Sequence, residues 1–162
     1  MERRKTNAEL RIERAAFINL VMGIRPNSLI TLGAGSSCKA EILNLKAEFF
    51  FKQIHREAYG RNWHKRDSAE AIVAIGFIEH HASNMHMHVA ARAPTPFARS
   101  ALDEGAHIWG KIRRGGHYHY EGLKDPEACG RYITKELWKE EARASVYIFM
   151  RPDMRGPHRK IQ

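Results

Sequence analysis

Two apolar segments separated by a short polar stretch place the strongest constraint on how this chain can fold. Residues 71–79 and 85–92 are rich in Ala, Ile, Val and Met, and only the five residues from His80 to Asn84 lie between them. Extended segments joined by so short a connection pair with each other as an antiparallel hairpin. The pattern therefore predicts that the fold contains an antiparallel sheet.

Helical and extended segments alternate on both sides of this hairpin. Before it we expect an N-terminal helix, a strand over Ser28–Leu32 and a helix over Lys39–Tyr59, whose apolar residues recur every three or four positions. After it we expect a helix over Phe97–Ile112, a strand over His117–Leu123, a helix from Pro126 to Ala144 and a strand over Ser145–Met150. This order predicts an α+β fold, a ferredoxin-like or RRM-like antiparallel sheet of about five strands with helices packed on it. With helices on one face, the other face is expected to stay free for a ligand.

Charge points to a polyanionic partner. The chain carries 27 Lys and Arg against 18 Asp and Glu, a formal charge of +9, and such a surplus favours nucleic acid. Residues 1–27 are predicted to form a basic, helical N-terminal extension, 28–150 the folded domain and 151–162 a basic tail. No apolar run is long enough to span a bilayer, so no membrane partner is expected. Cys38 and Cys129 form no CxxC pair, which argues against a thiolate metal site.

The second strand of the hairpin carries a candidate metal site. Alternate residues of a strand share a face, so His86 and His88 point together, away from Met85 and Met87 on the core side. Glu79 ends the preceding strand and can reach the same face. Two imidazoles and one carboxylate form a mixed N/O ligand set suited to Mn²⁺ or Mg²⁺ in phosphate chemistry. The chain has ten histidines, so the alternative that His-x-His is a chance surface pattern stays open.

The second helix predicted after the hairpin, from Pro126 to Ala144, carries a candidate nucleophile. Tyr132, Lys135 and Lys139 lie three and seven positions apart, which places them on one helix face. A phenol has a pKa of about 10, so a bound metal and neighbouring cations must stabilise the charge that develops when it attacks a phosphate. Lys135, one turn from Tyr132, suits that role. Tyr-x-x-Lys alone is a weak pattern, because amphipathic helices often produce it.

The two elements together resemble the HUH endonucleases, in particular the single-tyrosine rolling-circle replication initiators. The resemblance rests on Glu79 before His-Met-His at 86–88, on the later Tyr-x-x-Lys at 132–135, and on the strand motif Ile30-Thr31-Leu32. It implies that Glu79, His86 and His88 hold one divalent ion while Tyr132 attacks a scissile phosphate in single-stranded DNA, leaving a 5′-phosphotyrosine and a free 3′-OH.

The same resemblance implies a biological setting and a set of DNA contacts. The substrate would be the origin hairpin of a plasmid, virus or phage, with a host helicase as a further partner, in a bacterial cytoplasm or a eukaryotic host nucleus. Related single-tyrosine transposases draw a ligand from the tyrosine helix, so Glu136 competes with Glu79 as third ligand. The residues expected to contact DNA are Arg92, His117, His119, Arg131 and Lys139.

The sequence bears on three other functions. The Gly-rich stretch from Gly33 to Ala40 has Cys38 and Ala40 where a P-loop needs Gly and Ser or Thr, so no nucleotide cofactor is expected. A non-catalytic nucleic-acid-binding module on an RRM-like sheet would need exposed strand aromatics, for which Phe77 and Tyr118 are the candidates. A different metallohydrolase would use the histidines but leave the tyrosine helix without a role.

Overall fold

The structure, a computed structural model, describes residues 5–149. The predicted basic tail over 151–162 therefore lies outside the described residues. The elements in chain order are α1 (Asn7–Gly23), β1 (Ser28–Gly33), α2 (Ala40–Tyr59), β2 (Val73–Glu79), β3 (His86–Arg92), α3 (Pro96–Asp103), α4 (Ala106–Ile112), β4 (Tyr118–Gly122), α5 (Pro126–Ile133), α6 (Glu140–Arg143) and β5 (Val146–Phe149). Among these helices, none is long and apolar enough to cross a membrane.

The five strands form one antiparallel sheet in the order β4-β1-β3-β2-β5. Strands β1 to β4 with α2, α3 and α4 follow the ferredoxin-like order, and β5 is added at the β2 edge. The predicted α+β sheet with packed helices is therefore confirmed. The hairpin is confirmed as well, with Glu79 opposite His86 and Phe77 opposite His88.

Helices cover both faces of the sheet, so the expectation of a free second face is wrong. The face that carries Met87 and Val89 packs against α2, α3 and α4 in the larger core cluster. The opposite face carries an apolar row that must also be removed from water. Its cluster comprises Val21 of α1, Ile75, Phe77 and Ala90 of the sheet, Cys129 and Ile133 of α5, and Leu137 and Ala142 beyond it.

Each of the two long helices predicted after the hairpin is interrupted. The first is divided into α3 and α4 near Gly105, where the Tyr118 hydroxyl donates to the carbonyl of Leu102 and a Cβ on Gly105 would lie 2.7 Å from that hydroxyl. The second ends at Ile133 instead of continuing to Ala144, and the carbonyl of Arg131 in its last turn accepts from the side chain of Arg14. The amphipathic pattern depends only on residues close in sequence, so it gives no sign of tertiary hydrogen bonds to the helix backbone.

Helix α1 is packed onto the domain. Thr6 begins it with a reciprocal capping box to Glu9, and Val21 near its end is fully buried. Arg14 donates to the carbonyl of Arg131 at 2.9 Å and to the hydroxyl of Thr134 at 3.3 Å. The Arg131 carbonyl would otherwise accept from the amide of residue 135 in a continuing helix. Helix α1 therefore helps to end α5 directly after Ile133.

Candidate metal centre and tyrosine site

Three candidate ligand atoms converge at the turn end of the β2–β3 hairpin. The Nε2 atoms of His86 and His88 each lie 3.6 Å from a carboxylate oxygen of Glu79, and 3.2 Å from each other. The side chain of Glu79 is only 1% exposed. These three residues form a buried group of His and Glu atoms that can hold a metal ion.

Second contacts orient both imidazole rings for this purpose. Because a carbonyl can only accept, the Nδ1 of His86 must donate its hydrogen to the Asn84 carbonyl at 3.0 Å, so in the neutral ring Nε2 carries the lone pair. Asn84 adopts a left-handed backbone conformation with φ of 49° at this point of the turn. The Nδ1 of His88 lies 3.0 Å from the hydroxyl of Thr31 on β1. When both rings are neutral and their Nδ1 atoms are engaged in these contacts, each can present Nε2 beside the carboxylate, and this donor set fits a divalent cation.

The electrostatics of the cluster favour an ionised carboxylate beside a neutral imidazole. Burial opposes ionisation of Glu79, but hydrogen bonds from His86 and Lys135 outweigh it and hold its pKa below the usual range. The contact with Glu79 raises the pKa of His86. Burial lowers the pKa of His88 to about 4, so this ring is neutral at physiological pH. A neutral imidazole and a carboxylate are the protonation states that bind a metal.

The tyrosine element meets this cluster directly. The hydroxyl of Tyr132 lies 3.4 Å from the Nε2 of His88, and the phenol remains 47% exposed. The ammonium of Lys135 donates to both oxygens of Glu79 at 2.8 and 2.6 Å, and it lies 4.0 Å from the centroid of the Tyr132 ring. The residues of the two sequence motifs are therefore brought into one site.

Glu136, the competing third ligand, belongs to a neighbouring group. Its carboxylate accepts from Lys139 at 2.9 Å and from the backbone amide of His80 at 3.3 Å. A candidate ligand atom of Glu136 lies close to ligand atoms of Glu79 and His80. Of the two glutamates, Glu79 is the one that also lies close to the ligand atoms of His86 and His88.

The residues predicted to contact DNA are only partly brought to the site. His119 lies opposite Thr31, the residue that contacts His88, so it continues the same row across the sheet. The ring of His117 lies over Gly33, the residue paired with His86, in the space that a Cβ would occupy.

Arg92 is not brought to the site. It lies at the opposite end of β3 from the metal cluster, six residues beyond His86 or about 20 Å along the strand. Arg131 on α5 forms an exposed ion pair with Glu127, and Lys139 reaches Glu136 and the ring of Trp138.

Several residues that build the site were missed by sequence reasoning. Thr31 was noted only as part of a motif. Its place between two apolar residues of the strand was a signal that it faces away from the core, and in the structure it lies opposite His88 on the same face. Asn84 and Arg14 left no comparable signal, since their roles depend on a turn conformation and on a helix packed from a distant part of the chain.

Comparisons with protein-family models, with curated proteins and with solved structures found no match.

Proposed function

We propose that the protein is a metal-dependent endonuclease and strand transferase that nicks and rejoins single-stranded DNA through a tyrosine-linked intermediate. The observation that carries this proposal is the position of the Tyr132 hydroxyl, 3.4 Å from a candidate metal ligand that lies 44 positions away in the chain. A phenol, two imidazoles, a carboxylate and an ammonium in one partly open site are the groups that phosphoryl transfer to tyrosine requires.

The chain's own groups account for the transfer. The oxygen of Tyr132 forms a bond to the scissile phosphorus as the bond from phosphorus to the 3′ oxygen breaks. The phenolic proton is lost and the departing 3′ oxygen takes one up, so the exchange balances without any redox partner. Lys135 lies beside the phenol and holds negative charge as it develops. Glu79, His86 and His88 would hold Mn²⁺ or Mg²⁺, which would supply positive charge to polarise the phosphate.

Initiation of rolling-circle replication is the role we favour within this chemistry. The grouping of Glu79, instead of Glu136, with both histidines supports it over single-tyrosine transposition. The reversible phosphotyrosine bond leaves a 3′-OH that a polymerase can extend. The proposed partners are an origin hairpin and a host helicase, and the net charge of +9 suits the DNA backbone.

A labelled pool of single-stranded DNA incubated with and without Mn²⁺, then analysed on a denaturing gel, tests the proposal. We expect a metal-dependent covalent protein–DNA band that is lost in Tyr132→Phe. Tyr120→Phe is the matched control, because Tyr120 packs against the core on the other face of the sheet, and it should keep the band.

Two outcomes would contradict the proposal. DNA binding that EDTA does not change, with no band across a diverse pool, would indicate a non-catalytic binding module. Cleavage by Tyr132→Phe with no adduct in the wild type would indicate a different metallohydrolase built on the same histidines.

A further inference from the structure

The exposed indole of Trp138 lies beside the tyrosine site and has no role in the chemistry above. Its residue is 66% exposed, whereas Trp109 is fully buried and Trp63 is half-buried against the ring of His55. A tryptophan that leaves most of its large apolar surface in water is uncommon away from binding surfaces.

The backbone after α5 continues in turns that connect Tyr132 with Trp138. The amide of Lys135 donates to the carbonyl of Tyr132 at 3.2 Å, that of Leu137 to Thr134 at 3.2 Å, and that of Lys139 to Glu136 at 2.9 Å. Each bond of this i to i+3 type closes a turn, so the residues between Tyr132 and Lys139 stay close together in space.

Lys139 and Glu136 connect the indole to the site. The ammonium of Lys139 lies 2.9 Å from the carboxylate of Glu136 and also contacts the Trp138 ring. A candidate ligand atom of Glu136 lies within 4.8 Å of one of Glu79. The indole is therefore joined to the site through one ion pair.

The turn that presents Trp138 is held in place. The guanidinium of Arg143 donates to the carbonyls of Leu137 and Trp138 at 3.0 Å each, and Leu137 itself is 4% exposed in the core. The ammonium of Lys139 lies 5.3 Å from the indole centroid. The ring is thus an exposed aromatic surface on a fixed backbone, with lysines on both sides along the chain.

We infer that Trp138 is a stacking platform for an unpaired base of the single strand whose phosphate reaches Tyr132, an inference that rests on the proposed function. Every base has a π face, so stacking on an indole tolerates any sequence, while neighbouring lysines attract the backbone. A base held on the indole, six residues from Tyr132 along the chain, fixes the strand's position relative to the candidate metal ligands. Trp138 is therefore a positioning residue.

Binding of a fluorescein-labelled single-stranded oligothymidylate, measured by anisotropy in EDTA, tests this role without cleavage. We expect Trp138→Ala to weaken binding about 5- to 150-fold, as loss of one stacked base predicts. Trp138→Phe retains a ring and should stay within a few fold of the wild type. Phe97→Ala is the matched control, because Phe97 is 68% exposed on α3, across the sheet from this site, and its affinity should not change.

The intrinsic fluorescence provides a second, independent readout. Oligothymidylate should quench the emission of the wild type but not that of Trp138→Phe, in which the half-buried and fully buried tryptophans remain. Equal affinity of Trp138→Ala and wild type, or quenching retained in Trp138→Phe, would overturn the stacking role alone. A wild type that does not bind single-stranded DNA would overturn the proposed function as well, and the adduct gel would then also be blank.

Discussion

Replacing Lys135 by Met is expected to tighten metal binding while it slows DNA cleavage. In the structure the ammonium of Lys135 forms two short contacts with the Glu79 carboxylate, the only acidic group among the three candidate ligands. A divalent ion on that carboxylate must displace or repel the ammonium. Met has a similar length and no charge, so it removes the competitor without leaving a large cavity.

The magnitude follows from the exposure of the two partners. Hydrogen bonds between charged groups contribute about 1.5–3 kcal/mol when they are shielded from water. Because the Lys135 side chain is 39% exposed, solvent screening reduces this to about 1–2 kcal/mol, or about 5- to 30-fold in Kd. Without metal, the substitution leaves the buried carboxylate of Glu79 without its main cationic partner, so the apo variant should melt at a lower temperature.

Isothermal titration with Mn²⁺ measures the affinity, and thermal melts with and without Mn²⁺ measure the linked stability. We expect a lower Kd and a larger Mn²⁺-induced rise in Tm for Lys135→Met than for the wild type. Lys139→Met is the control, because Lys139 pairs with Glu136 instead of Glu79, and its Kd should be unchanged. Equal or weaker Mn²⁺ binding by Lys135→Met would refute the idea that the ammonium and the cation compete for one carboxylate.

Three further predictions concern the surroundings of the site. Gly33→Ala places a Cβ 2.0 Å from the ring of His117 and must displace that ring. This variant and His117→Ala should therefore weaken DNA binding, measured by anisotropy, by the same factor. If the double mutant lost the sum of the two binding free energies, the two residues would not act through this one contact. Arg14→Ala should lower the free energy of unfolding by about 1–2 kcal/mol, because the carbonyl of Arg131 and the hydroxyl of Thr134 lose the guanidinium that donates to them. An unchanged urea midpoint would show that α1 does not support the end of α5. Cys38 is partly exposed and should react with a disulfide reagent in the folded protein. Cys129, whose pKa burial raises to about 11, should react only after unfolding. Equal labelling rates of the two thiols, measured by mass spectrometry, would count against the burial of Cys129.

Much of the fold was predictable because its signals are local. Side-chain alternation along residues 85–89 predicted which face each residue would take, and His88 and Met87 do lie on opposite faces of the sheet. The position of Glu79 at the end of the preceding strand predicted that it could reach the face of the two histidines, and in the structure it pairs with His86. Where a competing tertiary contact exists, the local pattern failed, as at the end of α5, where Arg14 takes a carbonyl that the helix would have used.

The order of the elements, the hairpin and the face that presents the two histidines follow from local patterns, since periods of two and 3.6 residues act within a few positions along the chain. The cover of α1 on the second face, the contact of Thr31 with His88 and the approach of the Tyr132 phenol to the candidate metal ligands required the folded chain. Those contacts join residues from 44 to 120 positions apart. Burial of the second apolar cluster holds α1 and α5 against the sheet, and the pairing of β1 with β3 brings Thr31 to His88.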